Sequence, residues 1–339
     1  MEAIFKEKDF VVCDVPVPLG YPQSQTHAGV AHGKDRVYLT SSPYPKIRYN
    51  ILQRIYRKCL HVVTNNLYPP NYGDAQENPM LYWGDKNNES PSVFKPYFGN
   101  PLANTPSKLF GYKSYNSDPD VYIEDGLVYV LNRECFMTGG AYNYWVRIFL
   151  MMFAETENGV KYLRSKIILE EPNKNLSPCI IKWKDSYKLL SLETLSYNTG
   201  DSDCRLILRE SSSIDGVYDN KREIQILGGN YVPWHFSVFK YENCLYAIVA
   251  CIEDGRSKRL YQMLGKFDNN LSNIFIYQRP LVDIPSYRGA AYVTDGGDFV
   301  LYSTTDRFCV AGSKSVDGKD VIMMKAPFKR VLTQLEKGD

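Results

Sequence analysis

Long apolar runs are missing from this 339-residue chain. None approaches the ~20 residues that carry a helix across a bilayer. Net charge is nearly absent as well: 40 Lys and Arg against 38 Asp and Glu leave +2. That balance provides no broad field for DNA, RNA or an anionic lipid surface, so no nucleic acid and no membrane is expected as a partner. The polar start, Met1-Glu-Ala-Ile-Phe-Lys-Glu-Lys-Asp9, lacks the apolar stretch of a secretory leader, and a cytoplasmic location is expected. The eight cysteines include no C-x-x-C and no tight pair, which reads as buried thiols in a reducing compartment. There is no Walker loop, no G-x-S-x-G elbow, no H-E-x-x-H and no zinc-ligand spacing. No metal and no other cofactor is therefore expected.

What the chain does have is tyrosine, 27 residues of it, with 15 Phe, 23 Gly and 19 Pro. Such a composition reads as many short strands joined by turns, so an all-β fold is expected. A repeat supports this. Five segments share a polar residue, two small or mixed residues and an aliphatic anchor, followed by a turn and an aromatic-led strand. They are His27-Ala-Gly-Val30 with Tyr38, Asp118-Pro-Asp-Val121 with Tyr129, Ser177-Pro-Cys-Ile180 with Tyr187, His235-Phe-Ser-Val238 with Tyr246, and Arg288-Gly-Ala-Ala291 with Phe299. Anchors recur at intervals of 91, 59, 58 and 53 residues. Intervals of fifty-odd residues fit a four-stranded propeller blade with its loops. The expectation is one five-bladed β-propeller domain over 1–339, with a helical insertion at about 45–76 in the first blade explaining the long interval. Within it Ile47, Ile51, Ile55 and Val62 alternate with Arg48, Arg54, Arg57 and Lys58 as on an amphipathic helix.

In a propeller the first strand of each blade lines the channel. The residues three before each anchor should then meet at one mouth: His27, Asp118, Ser177, His235 and Arg288. One step deeper come Gly29, Asp120, Cys179, Ser237 and Ala290, small except for Asp120. Second strands run back to the same mouth and end at Glu134, Glu193, Glu253 and Asp306. Trp234 and Tyr287 are either rim aromatics that stack on a sugar face or packing between blades.

The pattern resembles the furanosidase-type glycoside hydrolases of families 43 and 32 and their relatives. Ser117-Asp118-Pro119-Asp120-Val121, opening the second blade, resembles their second-blade aspartate motif. The resemblance implies that Asp118 stabilises the transition state or tunes the acid. The chain departs from the families at two points. His27 stands where they carry a nucleophile or base aspartate, and Leu176-Ser177-Pro178 stands where they carry the acid glutamate. Glu134-Cys135 resembles an acid motif of family 32 but lies in a different blade.

The leading expectation is a glycoside hydrolase acting on a carbohydrate at the channel mouth. Asp118 is the catalytic carboxylate, Glu193 the proton donor and Glu134 its reserve. Substrate contacts are expected from His27, Asp120, Ser177, Trp234, His235, Tyr287 and Arg288, the last as an anchor for a carboxylate or phosphate. The alternative is a non-catalytic glycan-binding or assembly propeller.

Overall fold

A computed structural model describes residues 2–16, 25–43, 50–52, 55–56, 58–59, 77–86, 91–103, 114–137, 144–172, 175–194, 204–229, 231–253, 260–306 and 319–337. Among these the chain is all-β apart from short helical pieces and one helix, Phe328–Glu336. No helix among the described residues is long and apolar enough to cross a membrane.

Five antiparallel strand groups follow one another along the chain. Their first strands are β2 (Gln25–His32), β6 (Ser114–Glu124), β10 (Asn175–Trp183), β14 (Tyr231–Tyr241) and β18 (Ser286–Val293). Each touches the next and β18 returns to β2, so the five close a ring. Every anchor of the sequence repeat lies on one of these strands. Every aromatic that follows lies on the partner strands β3 (Arg36–Pro43), β7 (Leu127–Met137), β11 (Ser186–Glu193), β15 (Cys244–Glu253) and β19 (Asp298–Asp306). The hairpins between them turn on residues with positive φ, including Asp125, Gly126, Lys184, Glu242 and Gly297.

Two features depart from five separate four-stranded sheets. The third and fourth groups fuse into one eight-stranded sheet through a parallel pair, β13 (Arg222–Leu227) with β17 (Asn273–Ile276). Pairing these outer strands removes two open edges that would otherwise present bare N–H and C=O groups. The last group takes its outermost strand from the start of the chain: β1 (Val11–Val12) pairs with β20 (Lys319–Pro327), Val11 opposite Met323. The insertion expected at 45–76 falls mostly outside the described residues. Among those described, Ile51, Leu52, Ile55, Tyr56, Lys58 and Cys59 are helical and exposed, and Asn50 is exposed and outside the helix.

Of the seven described cysteines, Cys13, Cys135, Cys179 and Cys251 are buried, as expected, and Cys59 is exposed. Apolar clusters fill the spaces between neighbouring sheets. The helix at Phe328–Glu336 buries Phe328, Val331 and Leu335 against Phe239, Tyr246 and Phe299. The axis is tighter still. A Cβ on Gly29 would come within 2.6 Å of both Asp120 Oδ1 and Thr40 Oγ1, and 3.0 Å of the Asp120 Cα. Because a backbone atom is among those neighbours, the clash cannot be relieved by a rotamer change. Gly29→Ala should therefore lower unfolding free energy by ~1–3 kcal/mol, the usual cost of overpacking, as read from urea denaturation midpoints.

Candidate functional site

A recurrent backbone irregularity builds the site. In each inner strand the pairing register slips at the repeat's polar position: between Thr26 and Gly29, Ser117 and Asp120, Leu176 and Cys179, Pro233 and His235, and Ser286 and Gly289. Each slip is a bulge, which bends its strand and re-aims the side chain it carries. His27, Asp118 and Ser177 take left-handed backbone conformations there, with φ of 57°, 51° and 48°. Non-glycine residues in that region cost ~1–3 kcal/mol each and persist where the surroundings fix them. What fixes them is a network of buried polar contacts.

Asp118 is its centre. Oδ1 lies 3.0 Å from His27 Nε2 and 3.7 Å from His235 Nδ1. Oδ2 accepts the Ser177 backbone N–H at 3.0 Å and lies 3.2 Å from Arg133 Nη2. Burial opposes the charge on this carboxylate, but Arg133, His27, His235 and Arg288 together outweigh it and hold Asp118 well below the usual carboxylate range. The Ser177 hydroxyl lies 2.8 Å from His235 Nδ1. Burial lowers the His235 pKa well below that of a free imidazole, Asp118 opposing and the other cations reinforcing, so this ring is neutral at physiological pH. One step deeper, Asp120 lies 3.8 Å from Arg288 Nη2 and accepts a 3.5 Å hydrogen bond from Ser237. Burial pushes the Asp120 carboxyl up to about 6, against the pull of Arg288.

The expected ring of His27, Asp118, Ser177, His235 and Arg288 thus converges, with Asp120 beneath it, although all six are buried where an open mouth was expected. Tyr287 joins them: its ring centroid lies 4.6 Å from that of His235 and 5.2 Å from that of His27. Trp234 instead packs in the apolar core between the third and fourth groups, the packing alternative and not the rim. Glu193 is committed to ion pairs with Lys221, at 2.6 Å, and Arg209, at 3.3 Å. Glu134 lies 3.8 Å from Arg147, a partner it shares with Glu170. At Glu253 and Asp306 only the backbone is described.

Two residues that the repeat does not point to complete the site. Glu77 places Oε1 2.8 Å from His27 Nδ1 and accepts a 2.9 Å hydrogen bond from Ser117 Oγ. That same hydroxyl lies 3.4 Å from Asp118 Oδ1, so one serine spans the two carboxylates. A buried amide chain, Asn132 to Asn116 to Asn78, pins the segment that carries Glu77. Arg133, on β7, also donates to the Asn175 carbonyl at 2.7 Å. Arg133 escapes the repeat because it comes from a second strand, and Glu77 because it precedes a third.

The ring also answers the question of a metal. One donor atom from each of His27, Asp118 and His235 lies within 4.8 Å of the others, all on buried residues. Two imidazoles and one carboxylate form a donor set suited to a zinc-like divalent ion. His27 carries a carboxylate, Glu77, on its other ring nitrogen, the usual partner of a metal-bound histidine. His235 Nε2 is buried with no hydrogen-bond partner among the described residues. The residues therefore fit a divalent ion. The expectation of no metal site came from short ligand spacings, whereas these donors come from three different strands.

No protein-family model matches the chain, and no curated protein matches it in sequence. Solved structures do. An N-acetylgalactosamine deacetylase from F. plautii, crystallised with blood group B trisaccharide, superposes with a TM-score of 0.64 at 14% identity, over 93% of this chain and 92% of that one. A family 117 glycoside hydrolase of the marine bacterium Zobellia galactanivorans gives 0.58 at 10% identity, over 94% and 89%. A thermostable family 43 glycoside hydrolase gives 0.56 at 10% identity, over 91% of each chain. The chain has the fold of the β-propeller glycoside hydrolases, as the second-blade motif implies.

Asp118 should matter to stability as well as chemistry. A carboxylate whose pKa is depressed by folding stabilises above its unfolded value of ~3.9, and that contribution is lost as pH falls toward the folded value. Asp118→Asn should lower unfolding free energy by ~3 kcal/mol at pH 7, the cost of breaking a buried ion pair. The deficit should shrink below pH ~4, as measured by urea unfolding of both proteins across pH.

Proposed function

We propose that this chain is a single five-bladed propeller domain acting as a carbohydrate hydrolase, with its active site where the five inner strands bulge. The observation that supports this best is the convergence of one polar residue from each inner strand on a pair of buried aspartates: His27, Ser177 and His235 around Asp118, and Arg288 beside Asp120 on the same strand as Asp118. A carboxylate held in its charged form by Arg133 and faced by His27 and His235 is suited to orient water or to face a developing positive charge. It is not suited to donate a proton.

For glycosidic cleavage a second carboxyl group is needed near the first. Glu77 meets that need, joined to Asp118 through the Ser117 hydroxyl and to His27 through Nδ1. Glu193 and Glu134, expected as donors, are each engaged by arginine, and Glu193 by lysine too. Glu77 takes precedence over both in the proposed mechanism. His27 stands between the two carboxylates, Nδ1 against Glu77 and Nε2 against Asp118, and holds them in position relative to each other. Tyr287 packs on both histidines and fixes their ring planes.

A second reading is hydrolysis of an acyl group on an amino sugar, favoured by the His27, Asp118 and His235 donor set. It parallels the deacetylase among the similar structures. A divalent ion held there would supply an activated water and polarise the acyl oxygen. Glu77 would then orient His27, and Ser177 would hold the His235 ring through Nδ1.

The two readings separate on Glu77 and on metal removal. Wild type and Glu77→Gln are assayed against aryl furanosides, aryl pyranosides and N-acetylated hexosamines, before and after dialysis against a chelator. Glycosidic cleavage predicts aryl release untouched by chelation and a ~10²–10⁴ fall in kcat for the variant. Acyl hydrolysis predicts acetate release abolished by chelation, restored by zinc, and only ~10–100-fold weaker in the variant. Saccharide binding by calorimetry with turnover of no substrate would leave the glycan-binding alternative.

A further inference from the structure

The channel has a second end. Beyond the bulges the inner strands continue to the hairpin turns, and there they surround a cavity of about 540 Å³. That volume lies within the ~300–1,000 Å³ range of small-molecule sites. Asp120 forms its inner end, and His32, Ile123, Lys182, Lys240 and Val293 mark its outer reach. From Asp118 to Ile123 a strand advances roughly 15 Å at ~3.3 Å per residue, so this cavity is distinct from the ring around Asp118.

Its lining carries more positive than negative side chains. Three lysines line it, Lys182, Lys184 and Lys240, against one carboxyl, Asp120, which burial pushes up to about 6. A net charge of only +2 over the whole chain makes this a local concentration. Lys182 is shared with Glu124, 2.7 Å away. Lys184 and Lys240 have no carboxylate partner among the described residues, and Lys240 rests 5.9 Å from the centre of the Trp183 ring. Lys184 takes φ 55° in a tight turn, a conformation that asparagine or glycine adopts more readily. The other titratable neighbours are few. His32 stacks on Tyr292 at 4.8 Å, and burial and Lys86 lower its pKa against the pull of Asp295. His32 Nε2 is buried with no hydrogen-bond partner among the described residues, a polar atom left for a ligand or water.

We propose that this cavity is a second binding site, for a small molecule bearing an oxyanion, held by Lys184 and Lys240 with His32 and the Tyr122 and Tyr292 rings along its sides. Phosphate and carboxylate share the chemistry that two unpaired ammonium groups recognise. A neutral sugar lacks it.

The test uses the full chain in calorimetry at 150 mM salt with four probes: inorganic phosphate, glucose 6-phosphate, glucuronate and glucose. Wild type should bind at least one anionic probe and ignore glucose. Phosphate and glucose 6-phosphate alone would assign the site to phosphate, glucuronate alone to carboxylate. The double variant Lys184→Met, Lys240→Met should weaken that binding by about tenfold or more, from the loss of two partly solvated ion pairs. Lys329→Met, on the outer helix, should leave it unchanged. Both lysines lie on the cavity rim, and circular dichroism is used to check that the double variant folds. Absence of anion binding in the wild type at 10 mM overturns the proposal. So does binding that survives the double variant, or binding that Lys329→Met weakens equally.

Discussion

Five strands can converge on one axis only where little stands between them, and that crowding governs the rest of the molecule. Gly29 has no room for a methyl group because Asp120 and Thr40 already fill the space. The neighbouring positions at the same depth are Cys179, Ser237 and Ala290, all buried. Apart from Asp120, larger polar side chains are admitted at the bulges, where an extra residue widens the strand's path. The site's chemistry is thus concentrated at the one level of the channel where the packing constraint is relaxed.

At that level charge is organised around a single anion. Asp118 draws on Arg133, His27 and His235 directly, and Ser177 supplies a backbone donor. A buried ion is tolerable only when its lone pairs are met, and Asp118 meets this condition with partners from four strands. Asp120, one step along the same strand, has a distant arginine and a serine, and its proton is retained to a higher pH. Two aspartates two residues apart therefore have their acidity shifted in opposite directions by environment alone. Their separation follows from the bulge between Ser117 and Asp120.

Much of this was legible in the sequence because the repeat has a fixed offset. The polar residue before each aliphatic anchor marks where every inner strand bulges, and the turns after it carry residues that accept positive φ. The second-blade motif at Asp118-Pro119-Asp120 pointed to the fold that the solved structures share. Side chains that reach the site from outside the repeat were not legible. Arg133 comes from a second strand, and Glu77 lies just before β4 (Met80–Asp85). Glu193 was expected as a donor from its place at the end of β11, but strand position does not reveal that Arg209 and Lys221 approach the same carboxylate. Trp234 was ambiguous for a similar reason: alternation places a residue on a face, while the neighbouring sheet decides whether that face is covered. The fusion of the third and fourth groups through β13 and β17 left no pattern, since edge pairing is made by backbone atoms.

The pairing of β1 with β20 carries a consequence for biosynthesis. Val11 and Val12 leave the ribosome long before their partners Met323 and Ile322 are translated. At ~5–20 residues per second the delay is roughly 15–60 seconds. Throughout it β1 has no edge to join, and the last sheet has a gap where β20 will lie. The nascent protein passes through a stage in which the five inner strands are all made but the last sheet lacks β20, and the open edge of β19 is ready to pair with a neighbouring chain on the same polysome. Chaperone occupancy is expected to concentrate on that gap until its last strand arrives.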